Sequence, residues 1–164
     1  MQRVYLDNAA TSFPKPQSVT DAVVDFMTGI GASPGRGGYM QSLQSGRIIL
    51  EAREAINGLF NGPGPDNVIF TQNITESLNI VLKGMLKKGD HVITTSVEHN
   101  SVMRPLRRLE RDRGVRISTA RCGGDASLDP AEIERLIDVD TKAVIMTHAS
   151  NLTGTILPVR EVGR

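Results

Sequence analysis

From residue 67 to residue 147 the chain alternates between short β-rich runs and segments whose apolar residues recur every three or four positions, and this alternation restricts the fold more than any other feature. The β-rich runs fall near 67–71, 91–95, 115–120 and 142–147, and the helical patterns near 75–87, 101–112 and 130–138. Strands joined through helices return to the same end of a sheet, so they run parallel with right-handed crossovers. The expectation is an α/β fold, a mostly parallel sheet with flanking helices. Ligands of such sheets sit beyond the carboxyl ends of the strands. Three polar clusters occupy those places: Thr75-Glu76-Ser77, Ser96 to Ser101, and Thr147 to Gly154.

The first cluster opens a helix whose apolar face is Leu78, Val81, Leu82, Met85 and Leu86. A helix start carries N–H groups without intrahelical partners and the positive end of the dipole, so it suits a phosphate. The Thr75 and Ser77 hydroxyls are expected as extra donors, with Thr75 or Asn73 as the cap. The helix near 130–138 is signposted by Asp129 as cap, Pro130 as first residue and Glu132 as capping-box partner.

Ahead of the alternation, Val4-Tyr5-Leu6 reads as a short extended segment and Asp7 to Thr11 as a loop. Pro16 suits a first helical turn, and Val19, Ala22, Val23, Phe26 and Met27 predict a buried stripe on the helix that follows, closed by Gly29 and Gly31. Residues 31–38 hold too much Gly and Pro for regular structure and lack the Gly-Lys-Ser/Thr of a Walker loop. A long helix is expected over Met40 to Phe60, ended by Asn61-Gly62-Pro63-Gly64-Pro65. The chain thus reads as an arm, helix and Gly-rich loop over residues 1–38 and a βα-repeat over residues 67–158.

Composition removes several classes of function. A formal charge of +1 gives no reason to expect a nucleic-acid partner, and no apolar run approaches the length of a membrane span, so a cytoplasmic, small-molecule role is expected. A single cysteine, Cys122, excludes an internal disulfide framework, and its turn position reads as structural. Three scattered histidines, His91, His99 and His148, lack ligand spacing, so no metal is assigned. The lysines Lys15, Lys83, Lys87, Lys88 and Lys142 stand in surface-like contexts.

Four groups of residues carry a resemblance: Asp7-Asn8-Ala9-Ala10-Thr11, Thr75-Glu76-Ser77 with Asn79, Glu98-His99-Asn100-Ser101, and Ser150-Asn151 with Gly154 and Pro158. In this order they resemble the N-terminal half of the class V aminotransferase-fold enzymes, and among these the NifS-like cysteine desulfurases, which use pyridoxal 5'-phosphate. Gly35-Arg36-Gly37-Gly38 is similar to the corresponding desulfurase loop, although many relatives have His where this chain has Tyr39. The resemblance implies the N-terminal part of a fold-type I large domain spanning residues 1–164 and, for the whole enzyme, conversion of L-cysteine to L-alanine with sulfur leaving as an enzyme persulfide. It further implies a homodimer and a sulfur-acceptor protein. Selenocysteine lyases and class V aminotransferases share the signatures.

By the same resemblance, Ile74 and Thr75 bind the cofactor phosphate, Ile74 through its backbone N–H alone. His99 stacks on the cofactor ring and serves proton transfer, Asn151 bonds the ring's phenolic oxygen, and Asn8 and Ala9 line the substrate side. Asn73 stands where relatives often have Gly, which predicts a left-handed turn. The Schiff-base lysine, the aspartate facing the pyridine nitrogen and the sulfur-accepting cysteine have no match here. Together with a closing helical pattern of barely two turns from Pro158, this reads as an incomplete chain, inactive alone or acting only by association.

Overall fold

The structure, a computed structural model, describes residues 4–164. It resolves into two compact units, one ending at Phe70 and the other running from Thr71 to Arg164.

The first unit contains α1 (Gln17–Asp25), a π-helical turn (Phe26–Ile30) and α2 (Met40–Leu59), followed by a short 3-10 turn at Pro65–Asn67. Gly31 closes the π turn at φ 55°, a left-handed conformation that favours glycine. The stripe on α1 is not buried: Val19, Val23 and Met27 are 48%, 53% and 72% exposed. They line an open, largely apolar surface cavity with Phe26, Ile30 and Ile48 of α2. Amphipathic spacing marks a face that can be covered, and among the described residues of this unit nothing covers it. The Gly-rich loop is irregular as expected, and α2 holds it: the Ser42 hydroxyl donates to the Ser33 carbonyl at 3.1 Å and the Ser45 hydroxyl to the Ala32 carbonyl at 2.7 Å. Both serines are buried.

Residues 67–71 do not form the expected strand. Val68 is extended, but no strand pairs with this run among the described residues, and Ile69 is 78% exposed. β-propensity describes a backbone ready to pair; it cannot supply the neighbour.

The second unit contains α3 (Ile74–Met85), β1 (His91–Thr95), α4 (Asn100–Arg113), β2 (Arg116–Ala120), α5 (Pro130–Glu134), β3 (Thr141–Ile145) and α6 (Val159–Val162). The sheet is fully parallel, in the order β2-β1-β3. Strand β1 is central and every residue of it is buried. Val92 points into a core formed with Leu82 of α3, Leu86 immediately after that helix, and Val102, Leu106 and Leu109 of α4. Its neighbour Ile93 points into a second core, with Ala120, Leu128, Ile133 and Leu157. Successive residues of a strand face opposite sides, so helices cover both faces of the sheet.

Helix α5 is shorter than the pattern over 130–138 suggested. Asp129 caps it, accepting from the Ala131 N–H at 3.0 Å, but no capping box forms, because the Glu132 carboxylate pairs with Arg135. At the amino end of the sheet, His91 is buried and bonded at both ring nitrogens, to the Thr141 hydroxyl and the Ser118 hydroxyl, each at 2.8 Å. It ties all three strands together.

Candidate functional site

Helix α3 begins at Asn73, whose side chain accepts the Glu76 N–H at 2.9 Å while Glu76 Oε2 accepts the Gln72 N–H at 2.8 Å. Asn73 therefore caps by its side chain in an extended conformation, φ −166°, and the expected left-handed turn is absent. The backbone N–H of Ser77 is taken by the Asn73 carbonyl. Among the described residues the N–H groups of Ile74 and Thr75 and the Thr75 hydroxyl find no acceptor. These three donors lie at the positive end of the helix. The Ser77 hydroxyl is not available with them, since it shares a 2.5 Å hydrogen bond with the Thr71 hydroxyl.

Helix α4 begins at His99, which acts as its own kind of cap. His99 Nδ1 accepts the Ser101 N–H at 3.0 Å, so Nδ1 carries no proton and the Ser101 hydroxyl, 2.8 Å away, donates to it as well. The ring proton is thereby held on Nε2, and the exposed ring is fixed at its other edge. Ser101, buried beneath it, was quoted above only as part of a motif; the signal for its role is its position two residues after a cap.

Thr75 and His99 line one groove of about 380 Å³ with Asn79, Lys83, Arg104 and Arg108. His99 and Asn151 line an adjoining cleft of about 440 Å³ with Glu98, Asn100, Ser150 and Thr153. His99 and its neighbour Asn100 thus form the wall common to both. Among the described residues, Lys83 and Arg104 make no ion pair, which leaves the groove electropositive. Arg108 pairs with Asp112 at 3.1 Å.

Asn151 sits on a loop that bonds itself into shape. The Ser150 N–H donates to the Thr155 carbonyl and the Gly154 N–H to the Ser150 carbonyl, both at 2.9 Å. The buried Ser150 hydroxyl accepts from the N–H groups of Leu152 and Thr153. The Asn151 carboxamide is exposed and makes no hydrogen bond among the described residues. In the second unit the structure thus places Thr75 with His99 in the groove and His99 with Asn151 in the cleft, while Ile74, next to Thr75 in the chain, lines neither. Asn8 and Ala9 belong to the first, where Asn8 Oδ1 accepts the Phe13 N–H at 3.1 Å inside a turn. Cys122 is half-buried, and its N–H donates to the Ser96 hydroxyl at 3.0 Å.

The family model for aminotransferase class V matches residues 4–164. The chain belongs to the aminotransferase class-V family. A probable cysteine desulfurase of Methanothermobacter thermautotrophicus is 39% identical over 162 residues, covering 98% of this chain and 40% of that protein. The cysteine desulfurase of Haloferax volcanii is 34% identical over 97% of this chain and 38% of its own length. Among solved structures, the apo cysteine desulfurase of Thermococcus onnurineus superposes with a TM-score of 0.88 at 31% identity, over 98% of this chain and 40% of that one. SspA in complex with cysteine gives 0.83 at 25% identity, over 97% and 46%. The α/β fold expected from the alternation is the fold these proteins share. This chain spans about 40% of the length of the curated relatives it matches. No helix among the described residues is long and apolar enough to cross a membrane.

Proposed function

We propose that the chain forms the phosphate and ring side of a pyridoxal 5'-phosphate site in a cysteine desulfurase, an enzyme that converts L-cysteine to L-alanine and passes the sulfur on as a persulfide. The observation that carries this reading is the shared wall: His99 stands between the groove entered by Thr75 and the cleft entered by Asn151. The residues fit the cofactor chemically. Unpartnered donors at Ile74 and Thr75 match a dianionic phosphate, a flat ring at His99 matches an aromatic heterocycle, and a free carboxamide at Asn151 matches a phenolic oxygen.

Bound there, the cofactor supplies the electron sink for bonds broken at the substrate α-carbon. The chain's own residues do the rest of the work on this side. Ile74 and Thr75 anchor the phosphate through backbone N–H groups, and the Thr75 hydroxyl adds a third donor. His99 holds a proton on Nε2 and keeps its ring in one orientation because Ser101 occupies Nδ1. Asn151 donates from its carboxamide. Residues 67–158 form the cofactor-binding portion on this reading, and residues 1–38 supply the arm whose Asn8 and Ala9 border the substrate. A homodimer, a sulfur-acceptor protein and a cytoplasmic setting belong to the same proposal.

A second reading, action by association alone, is favoured by the uncovered apolar face of α1. The two separate on ligand addition. A ligand that binds only the folded chain, at about 100 times its Kd, stabilises it by about 2.7 kcal/mol. Pyridoxal 5'-phosphate is expected to raise the melting temperature accordingly; a melting temperature that depends on protein concentration and ignores the cofactor supports association instead.

A further inference from the structure

The β1–β3 ladder ends at the pair Thr94 and Ile145, and beyond it the two chains diverge into the turn that carries His99 and the loop that carries Asn151. One side chain bridges the gap. Glu98 Oε1 accepts from the Thr95 hydroxyl at 2.9 Å and from the Thr147 N–H at 2.7 Å, 49 residues away in the chain. Among the described residues this is the only hydrogen bond between the 96–99 turn and the 146–157 loop. Ser96, by contrast, is tied to the β2 side, its N–H donating to the Ala120 carbonyl at 2.9 Å.

We infer that Glu98 is a positioning residue: one oxygen of its carboxylate sets the separation between His99, its neighbour in the chain, and Asn151, four residues past Thr147. The inference rests on the cofactor reading for its functional meaning, and on geometry alone for its structural part. Thr95 is buried at the last position of β1, so it offers a fixed reference for the carboxylate. From Thr147 onward the loop is held by its own bonds, including the Leu157 N–H to the His148 carbonyl at 2.8 Å. It therefore moves as a body, and where Thr147 goes Asn151 follows. Both donors fall on Oε1, while Glu98 itself borders the cleft shared by His99 and Asn151.

Because a single oxygen receives both donors, reach matters more than charge. Glu98→Gln keeps a carbonyl oxygen at the same distance from the backbone, Glu98→Asp keeps the charge but is one methylene short, and Glu98→Ala removes the acceptor. The test measures amide exchange at Thr147 in the chain without ligand and Kd for pyridoxal 5'-phosphate, in wild type and the three variants. Glu98→Gln is expected to hold Kd within about twofold, whereas Glu98→Asp and Glu98→Ala weaken binding by about tenfold, equivalent to ~1.4 kcal/mol. Thr147 exchange should accelerate by about tenfold in the same two variants and stay slow in Glu98→Gln. A structural contribution of the charge alone would rescue Asp rather than Gln, and that pattern overturns the inference. So does a Thr147 amide equally protected in all four chains. If the wild-type chain shows no saturable cofactor binding, the cofactor reading fails, and the exchange pattern at Thr147 alone then decides for or against the bridge. Should Glu98→Ala not fold, the contrast between Glu98→Gln and Glu98→Asp carries the same decision.

Discussion

Helices α3 and α4 start against the same groove, and each is capped by a side chain that accepts a backbone N–H, yet the two starts do opposite things with their donors. Asn73 takes the third N–H of α3 and leaves the first two open. His99 takes the second N–H of α4 and spends it on orienting its own ring. The first arrangement presents donors to an anion, and the second presents an aromatic face with a defined tautomer. Side-chain capping thus leaves open donors at one start and a fixed ring at the other, depending on which residue does the capping and which N–H it consumes.

The largest expected effect breaks the platform beneath both starts. Leu82 of α3 and Leu106 of α4 are buried against Val92 in one core. Leu106→Ala should cost about 2–5 kcal/mol in unfolding free energy, as large-to-small changes in closed cores do, measured by denaturant unfolding. A smaller loss is expected from Asn73→Ala, about 1 kcal/mol. That change should also fray the first turn of α3, visible as faster exchange at Glu76, while α4 is untouched. Ser101→Ala sharpens the comparison from the other side. It keeps the backbone N–H and removes only the hydroxyl, so stability should change by less than about 1 kcal/mol, and the nitrogen shifts of His99 should still report a proton on Nε2. Loss of that tautomer would mean that the hydroxyl, rather than the backbone, orients the ring.

How much of this was legible depended on what kind of information each element carries. The spacing of Leu78, Leu82, Leu86 and of Val102, Leu106, Leu109 marks helix faces because packing demands it, and the two helices lie where the pattern put them. The run at 67–71 has the same β-rich look as 91–95, but pairing is a property of two segments and only one was in view. Glu132 had the right spacing for a capping box and found Arg135 instead, since two acceptable partners compete locally. Of the candidate site, a helix starting next to Thr75 with open backbone donors was readable from the polar turn, whereas the engagement of the Ser77 hydroxyl by Thr71 was not. The bond of Ser101 to His99 had a local signal in its position two residues after a cap, but the bond of Glu98 to Thr147 had none, because neither spacing nor composition shows where a carboxylate will meet an N–H 49 residues away.

The smallest expected effect concerns the opposite edge of the sheet, where charged groups satisfy one another. The Arg116 guanidinium, hydrogen-bonded to Asp138 at 3.0 Å, holds that carboxyl below its usual range, with the Asp140 backbone N–H and His91 adding to the effect. A carboxylate with a lowered folded-state pKa contributes stability that is fully present above its unfolded value, about 3.9, and is lost as pH falls through the folded one. Arg116→Ala should return the Asp138 titration toward the ordinary range in a carboxyl NMR titration and remove that acid-limb dependence. An unchanged Asp138 titration would assign the shift to the backbone N–H of Asp140.

On the proposed reading, the open donors of α3 and the ring on α4 hold one cofactor between them. Titration of the chain with pyridoxal 5'-phosphate, alongside Thr75→Ala and His99→Ala, tests it most directly. Saturable binding is expected in the wild type, lost or strongly weakened in both variants. Equal, weak, non-saturating labelling of all three chains, as exposed lysines give with any reactive aldehyde, would contradict it.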